Sequence, residues 1–315
     1  MTQENNPSGL SEFTTANKKL IALFGEVLAD IFPDRSVLGG APYNVARHLR
    51  AFGMHPLLIT RTGADSINAE FMAEMSRLGM DVSGVQLDAS YPTGQVLVHL
   101  EGNGHRFDII PDQAYDHIHA GVTHLVTISN HPEMVYFGTL AQRSLESRLA
   151  LDRFLSDAKS PRFLDMNLRA PWFDKHIIRR SLLRADVLKI NDDELKVLST
   201  MFQLPKSSAE AGALALKRKF ELDGLIVTCG ADGAWALFDG DVVTSVAGVS
   251  LDQKMVDTVG AGDGFAAICM IGMLRQWPVD LMLSRANRFA AAICGLRGAA
   301  PESPDFYDLY IQEWQ

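Results

Sequence analysis

The chain has 315 residues, enough for two domains or for one large α/β domain with an appendage. Lys and Arg number 29 against 38 Asp and Glu, a formal net charge of −9. That balance argues against a sequence-independent nucleic-acid binder, which needs a basic face, but leaves room for a small anionic ligand in one positive pocket. With 47% hydrophobic and 21% charged residues the chain can bury a sizeable core, and no apolar run reaches the about 18 residues of a membrane span.

Residues 1–18 are polar, lack the apolar stretch of a secretory signal, and are expected to form a flexible tail on a cytoplasmic protein. Leu20–Phe24 is a continuous apolar run, as in a strand covered on both faces. A helical pattern opens after Gly40, with Val45, Leu49 and Phe52 on one face and Gly53 as the stop. Residues 57–59 read as the next strand, and Phe71, Met72, Met75 and Leu78 as another helix ended by Gly79.

At 93–110 the rhythm changes. Val96, Val98 and Leu100 alternate with polar residues, Gly102-Asn103-Gly104 reads as a turn, and Phe107 and Ile109 resume the alternation. This predicts a hairpin with one covered face, a candidate accessory sheet. Strands are then expected at 122–128, 163–164, 187–190 and 225–227, followed by two apolar helices at about 262–276 and 279–295. The strand–helix alternation predicts a parallel sheet with crossovers. Cys229, Cys269 and Cys294 have no CxxC or His-rich spacing and read as small buried hydrophobes.

Four segments carry candidate chemistry. Asp257-Thr258-Val259-Gly260-Ala261-Gly262-Asp263-Gly264-Phe265 runs straight into an apolar helix. Its glycines let the backbone approach a ligand, and the helix start aims free N–H groups at an anion. Asp263 could equally be a simple cap. The segment is no Walker A loop, because no GK[ST] follows, and residues 250–255 are not the clean apolar strand that a dinucleotide fingerprint needs. Gly25-Glu26, Asp30 and then Gly39-Gly40-Ala41-Pro42-Tyr43-Asn44 place acid and amide groups just past the first strand, suited to sugar hydroxyls; a plain turn is the alternative. Lys189-Ile190-Asn191-Asp192-Asp193-Glu194 is either a Mg²⁺ anchor or a dipole-favoured helix start. Thr228-Cys229-Gly230-Ala231-Asp232-Gly233 either faces a nucleotide or joins two strands.

In this order the four segments resemble the ribokinase-like (PfkB) sugar kinases, from about Leu20 to Ala300, and most resemble the fructokinase-type members. The resemblance implies an α/β fold: a central, mostly parallel sheet flanked by helices over 19–315, with a small β-sheet lid formed by about 31–38 and 93–112. It also implies ATP-dependent phosphorylation of a primary hydroxyl. Asp263 matches the general base, and the amides of Gly260, Ala261 and Gly262 match the anion hole. Asp30, Gly39, Gly40 and Asn44 match the sugar grip, joined by Arg106, Tyr115 and Arg169. Lys189, Asn191, Thr228, Gly230, Gly233, Gly262 and Asn287 match the nucleotide side, and Asn191 with Glu194 the placing of Mg²⁺ through water. Asp257 and Val259, with Gly298 and Ala299 downstream, match a K⁺ site.

The expected partners are a small sugar, ATP and a second copy of the chain paired through the lid, without nucleic acid or membrane. GGAPYN differs from the GGKGAN of ribokinases proper, so fructose is favoured over ribose. Arg169 suits a carboxylate and keeps 2-keto-3-deoxygluconate as an alternative. An aliphatic hairpin disfavours a nucleoside, and a silent sugar-binding regulator would need the base or anion hole to be missing.

Overall fold

The computed structural model describes residues 19–101, 104–249, 256–301 and 303–314. The expected tail, residues Gly102 and Asn103 of the hairpin turn, and segment 250–255 lie outside the described residues. In the first half the elements are β1 (Leu20–Phe24), β2 (Leu28–Ile31), β3 (Ser36–Gly39), α1 (Ala41–Ala51), β4 (His55–Gly63), α2 (Ser66–Arg77), β5 (Val85–Asp88), β6 (Gly94–Glu101), β7 (Gly104–Ile109), α3 (Ala120–Asn130), β8 (Met134–Phe137) and α4 (Leu145–Asp157). The second half holds β9 (Arg162–Asp165), α5 (Lys175–Leu182), β10 (Val187–Asn191), α6 (Asp192–Phe202), α7 (Ala209–Phe220), β11 (Gly224–Thr228), β12 (Gly233–Leu237), β13 (Val243–Ala247), α8 (Ala261–Leu274), α9 (Val279–Ile293) and α10 (Asp305–Glu313).

A nine-stranded sheet runs in the order β13-β12-β11-β10-β9-β8-β1-β4-β5. The strands from β5 to β11 in that order are parallel, and β12 and β13 extend one edge antiparallel. β1 is apolar throughout because both of its faces are covered. Ile21 and Leu23 join one core with helices α1, α8 and α9, while Ala22 and Phe24 join another, where Phe24 stacks on Phe154 of α4 at 5.8 Å. Helix α8 is buried from Asp263 to Gly272, which explains its unbroken apolar sequence.

A second sheet of four strands runs β3-β2-β6-β7, with β2 and β6 parallel and the outer pairs antiparallel. Val96 opposes Ile109 and Asp30, and Val98 opposes Phe107, so these side chains share one face with Leu28. The sheet begins earlier than expected, at Leu28, and takes Asp30 into its own β2.

One expected strand is corrected. Residues 122–128 form the middle of helix α3, and the strand belongs to Met134–Phe137 of β8. The β-branched run misled because its packing groups are threonines: Thr123 and Thr127, one helical turn apart, are buried. Their hydroxyls donate to the carbonyls of His119 and Thr123 at 3.0 and 2.7 Å, while Val122, Leu125 and Ile128 face outward. Among the described residues no helix is long and apolar enough to cross a membrane.

Candidate active site

A cavity of about 740 Å³ opens at the carboxyl ends of β1, β9, β10 and β11, where open α/β sheets receive ligands, and the small sheet contributes Val96, Phe107 and Ile109 to its wall. At its floor the chain makes two tight turns into helices. Gly40 precedes α1 at φ +107°, and a Cβ there would lie 2.5 Å from the Glu26 carbonyl oxygen. Gly260 precedes α8 at φ +79°, and a Cβ would lie 2.4 Å from the Cα of Ala299. Glycine is therefore required at each of these turns, which bring α1 and α8 together.

Asn44 of α1 and Asp263 of α8 meet there, the Asn44 Nδ2 donating to Asp263 Oδ2 at 2.8 Å. Asp263 is only 9% exposed. Burial, with the neighbouring Asp165 charge, pushes its pKa up to about 6, against the pull of Asn44, Lys189 and Arg169. The Asn44 Oδ1 is buried without a hydrogen-bond partner. In the first turn of α8 the N–H groups of Ala261, Gly262 and Asp263 have no carbonyls behind them in the helix; among the described residues that of Ala261 reaches Thr258 at 3.3 Å, and the helix ladder starts with Gly264 to Gly260 at 2.8 Å. The Lys189 ammonium lies beside this turn, 3.5 Å from where a Gly262 Cβ would sit. Burial works against that ammonium, but Asp165, bonded at 2.9 Å, holds its pKa above the usual value.

At one end the cavity is lined by Glu26, Asp30, Gly40, Asn44 and Arg169. Burial raises Asp30 to about 6, partly offset by Arg169. Arg169 forms no ion pair among the described residues. At the other end lie Asn191, Thr228, Gly230, Gly233 and Asn287, the last tied by its Nδ2 to the Ala247 carbonyl at 2.8 Å.

Asn191 and Glu194 form a capping box at the start of α6: the Glu194 N–H donates to Asn191 Oδ1 at 2.7 Å, and the Asn191 N–H to Glu194 Oε2 at 2.9 Å. Glu194 Oε1 also accepts from the Leu168 N–H at 2.7 Å, which holds the segment leading to Arg169. Both oxygens thus already accept backbone bonds. Glu194→Ala is expected to cost about 1–3 kcal/mol by orphaning those two N–H groups, measured as a lower urea midpoint.

Most expected site residues converge on this cavity, and some do not. Arg106 lies between Phe107 and the hairpin turn on β7, so it points to the opposite face from Phe107 and is exposed; it is not in the wall. Tyr115 is fully buried beneath the small sheet and does not line the cavity. Gly39 and Asp257 line a neighbouring cavity, which Val259, Gly298 and Ala299 share, and Asp257 Oδ1 accepts from the Val259 N–H at 3.0 Å. Sequence reasoning placed Glu26 in the acid and amide segment past the first strand without giving it a role of its own, and gave none to Asp165 or Asn167; all three are in the wall. Their signal was an acid or amide at or within two residues of the end of a buried apolar strand.

The family model described as pfkB family carbohydrate kinase matches residues 16–305. The chain is similar to the fructokinase of Escherichia coli, 28% identical over 264 residues, covering 80% of this chain and 83% of that protein. It is also similar to the aminoimidazole riboside kinase of Salmonella typhimurium, 26% identical over 310 residues, covering 90% and 91%. The structure of a fructokinase with bound ATP from Xylella fastidiosa has the same fold, with a TM-score of 0.80 at 19% identity over 94% of this chain and 99% of that one.

Proposed function

The chain belongs to the pfkB family of carbohydrate kinases, and we propose that it transfers the γ-phosphoryl group of ATP to a primary hydroxyl of a small sugar, fructose first among the candidates. The observation that carries this reading is the junction of Asn44, Asp263, the α8 N-terminus and Lys189 on one cavity floor. Ionised Asp263 accepts the proton of the attacking hydroxyl through Oδ1, while Asn44 holds Oδ2. The orphaned Asn44 Oδ1 accepts a second hydroxyl of the sugar. The amides of Gly260, Ala261 and Gly262, with the Lys189 charge, stabilise the transferred phosphoryl group.

The nucleotide occupies the end at Asn191, Thr228, Gly230, Gly233 and Asn287. Among the described residues no cluster of three His, Cys, Asp or Glu could hold a metal, and Glu194 already accepts two backbone bonds. That donor set fits a Mg²⁺ held through water, with Asn191 and Glu194 the residues that would hold it, where it would neutralise phosphate charge. Asp257 and Val259 are the reading for a K⁺ site, and the small sheet for a lid that pairs two copies in a cytoplasmic homodimer.

One observation favours a second substrate. Arg169, which forms no ion pair among the described residues and acts on the nearby Asp30 and Glu26, offers a fork for a carboxylate, which suits 2-keto-3-deoxygluconate. ADP release with ATP, Mg²⁺ and K⁺ against fructose, ribose, tagatose, the keto acid and nucleosides decides between them. Fructose is expected to give the highest kcat/KM. Turnover confined to the keto acid overturns fructose and moves Arg169 to the centre of the site.

A further inference from the structure

Glu26 has no part in the mechanism above, yet it occupies the acceptor wall. It lies two residues past the end of β1, its residue is 5% exposed, and it lines the cavity together with Asp30, Asn44 and Asp263. Among the described residues it forms no ion pair. Its carboxyl accepts backbone N–H bonds from its own residue and from Ala41 at the start of α1, which an apolar side chain would orphan. A Gln would accept the same bonds without the cost of burying a charge that has no cation bonded to it. An acid at this place is therefore of use to what enters the cavity.

We propose that Glu26 is a specificity-determining residue of the acceptor site, donating a hydrogen bond from its neutral carboxyl to an oxygen of the bound sugar near the reacting hydroxyl. The inference rests on the kinase reading and narrows its substrate class. Asp30, Asp263 and Asn44 Oδ1 all favour hydroxyl donors. A neutral carboxyl beside them selects an acceptor that also presents an oxygen able only to accept: a carbonyl, a ring ether or a carboxylate. Two acids with separate roles then share one wall, one taking a proton and the other keeping it.

The surroundings support that division. Burial raises Glu26 to about 7, helped by the Asp263 charge, while its own backbone N–H, that of Ala41 and the Arg169 guanidinium pull it back. The charged and phenolic groups that feel the Glu26 charge also include Arg143, Tyr115 and, on β8, Tyr136. Asp263 and Glu26 interact, so the free enzyme titrates as a group with two apparent steps. The acceptor kcat/KM rises as pH climbs through about 6, where Asp263 ionises, and falls above about 7, where Glu26 does.

The test compares wild type, Glu26→Gln and Glu26→Ala over pH 5–9, reading kcat/KM for the sugar and for ATP. Gln keeps the donor and cannot ionise. It is expected to abolish the alkaline fall and to stay within about tenfold of wild type at the optimum, the worth of one hydrogen bond. Ala is expected to lose about tenfold more in sugar kcat/KM at every pH, with the KM for ATP unmoved. A purely structural residue would not move the alkaline limb. An alkaline limb that persists in Glu26→Gln, or a loss in Gln equal to that in Ala, overturns the proposal.

A second readout keeps the proposal separate from the function itself. The infrared carbonyl stretch of neutral carboxyls is recorded at pH 6 as wild type minus Glu26→Gln, so that the shares of Asp263 and Asp30, also part-neutral there, cancel; a positive band is expected in that difference. If wild type turns over no sugar in the panel, the choice of substrate fails while the family assignment stands. The band still decides Glu26: present and lost on substitution it supports a neutral donor, and identical spectra overturn it.

Discussion

Asp263→Asn is expected to lower kcat by about 1,000-fold, the usual worth of a positioned general base, while leaving the fold and the KM for ATP in place. Asn has the same shape, and its Oδ1 can still accept from Asn44 Nδ2, which reaches the carboxylate at 2.8 Å. Stability moves the other way. The folded pKa of about 6 stands above the ordinary value of 3.8, so the fold binds this proton more tightly than the unfolded chain does. The resulting stabilisation is complete below the unfolded pKa and is lost as pH rises through about 6. At pH 8 the ionised carboxylate therefore costs stability, and Asp263→Asn should melt at the same temperature as wild type or higher. A stable, ATP-binding, inactive variant is the signature of a catalytic charge. Retention of more than a few per cent of kcat assigns the base elsewhere, and a lowered melting temperature at pH 8 makes the carboxylate structural.

The signals legible in sequence were local ones. Gly260 and Gly40 announced themselves because a tight turn into a helix tolerates only glycine, and at each of them a Cβ would crowd neighbouring backbone at about 2.5 Å. The strands β1 and β11 could be read because a strand covered on both faces is an almost unbroken apolar run, and β10 from Val187, Leu188 and Ile190 despite its buried Lys189. What was not legible depends on register and distance along the chain. Asn44 and Asp263 are 219 residues apart, and only the starts of their two helices bring them to hydrogen-bonding range. Glu26 falls in a candidate sugar-binding segment in the sequence, but that it is buried in the wall itself shows only in the cavity. Arg106 stands outside the wall for a related reason. On a hairpin, one position decides the face, and with Phe107 turned to the cavity its neighbour points away. Helix α3 was misread because buried threonines carried the packing that a hydrophobic pattern assigns to valine and isoleucine.

The pairing of Lys189 with Asp165 shows the same dependence on register and has the largest expected effect on stability. The two residues are opposite one another on β10 and β9, and the ammonium donates to Asp165 Oδ1 at 2.9 Å. Asp165 is 1% exposed, and its other oxygen takes only a long bond of 3.4 Å from the Tyr136 hydroxyl. Lys189→Met keeps the volume of the stem and leaves that carboxylate buried without a cation. The expected cost is about 3–5 kcal/mol, read as a lower urea midpoint at pH 7. It should also lower kcat by about 100-fold, since the positive charge beside Gly262 is lost where the phosphoryl group passes. Asp165→Asn in the same chain removes the stranded charge, so the double variant should be more stable than Lys189→Met alone, with a coupling of about 0.5–3 kcal/mol. The activity should not return with it, because the ammonium is still missing. Asp165→Asn alone has its own mark: without the like charge that raises Asp263, the acid limb of kcat/KM moves below about 6. If stability and kcat are both restored in the double variant, Lys189 serves only to neutralise Asp165, and the anion site consists of the α8 amides alone.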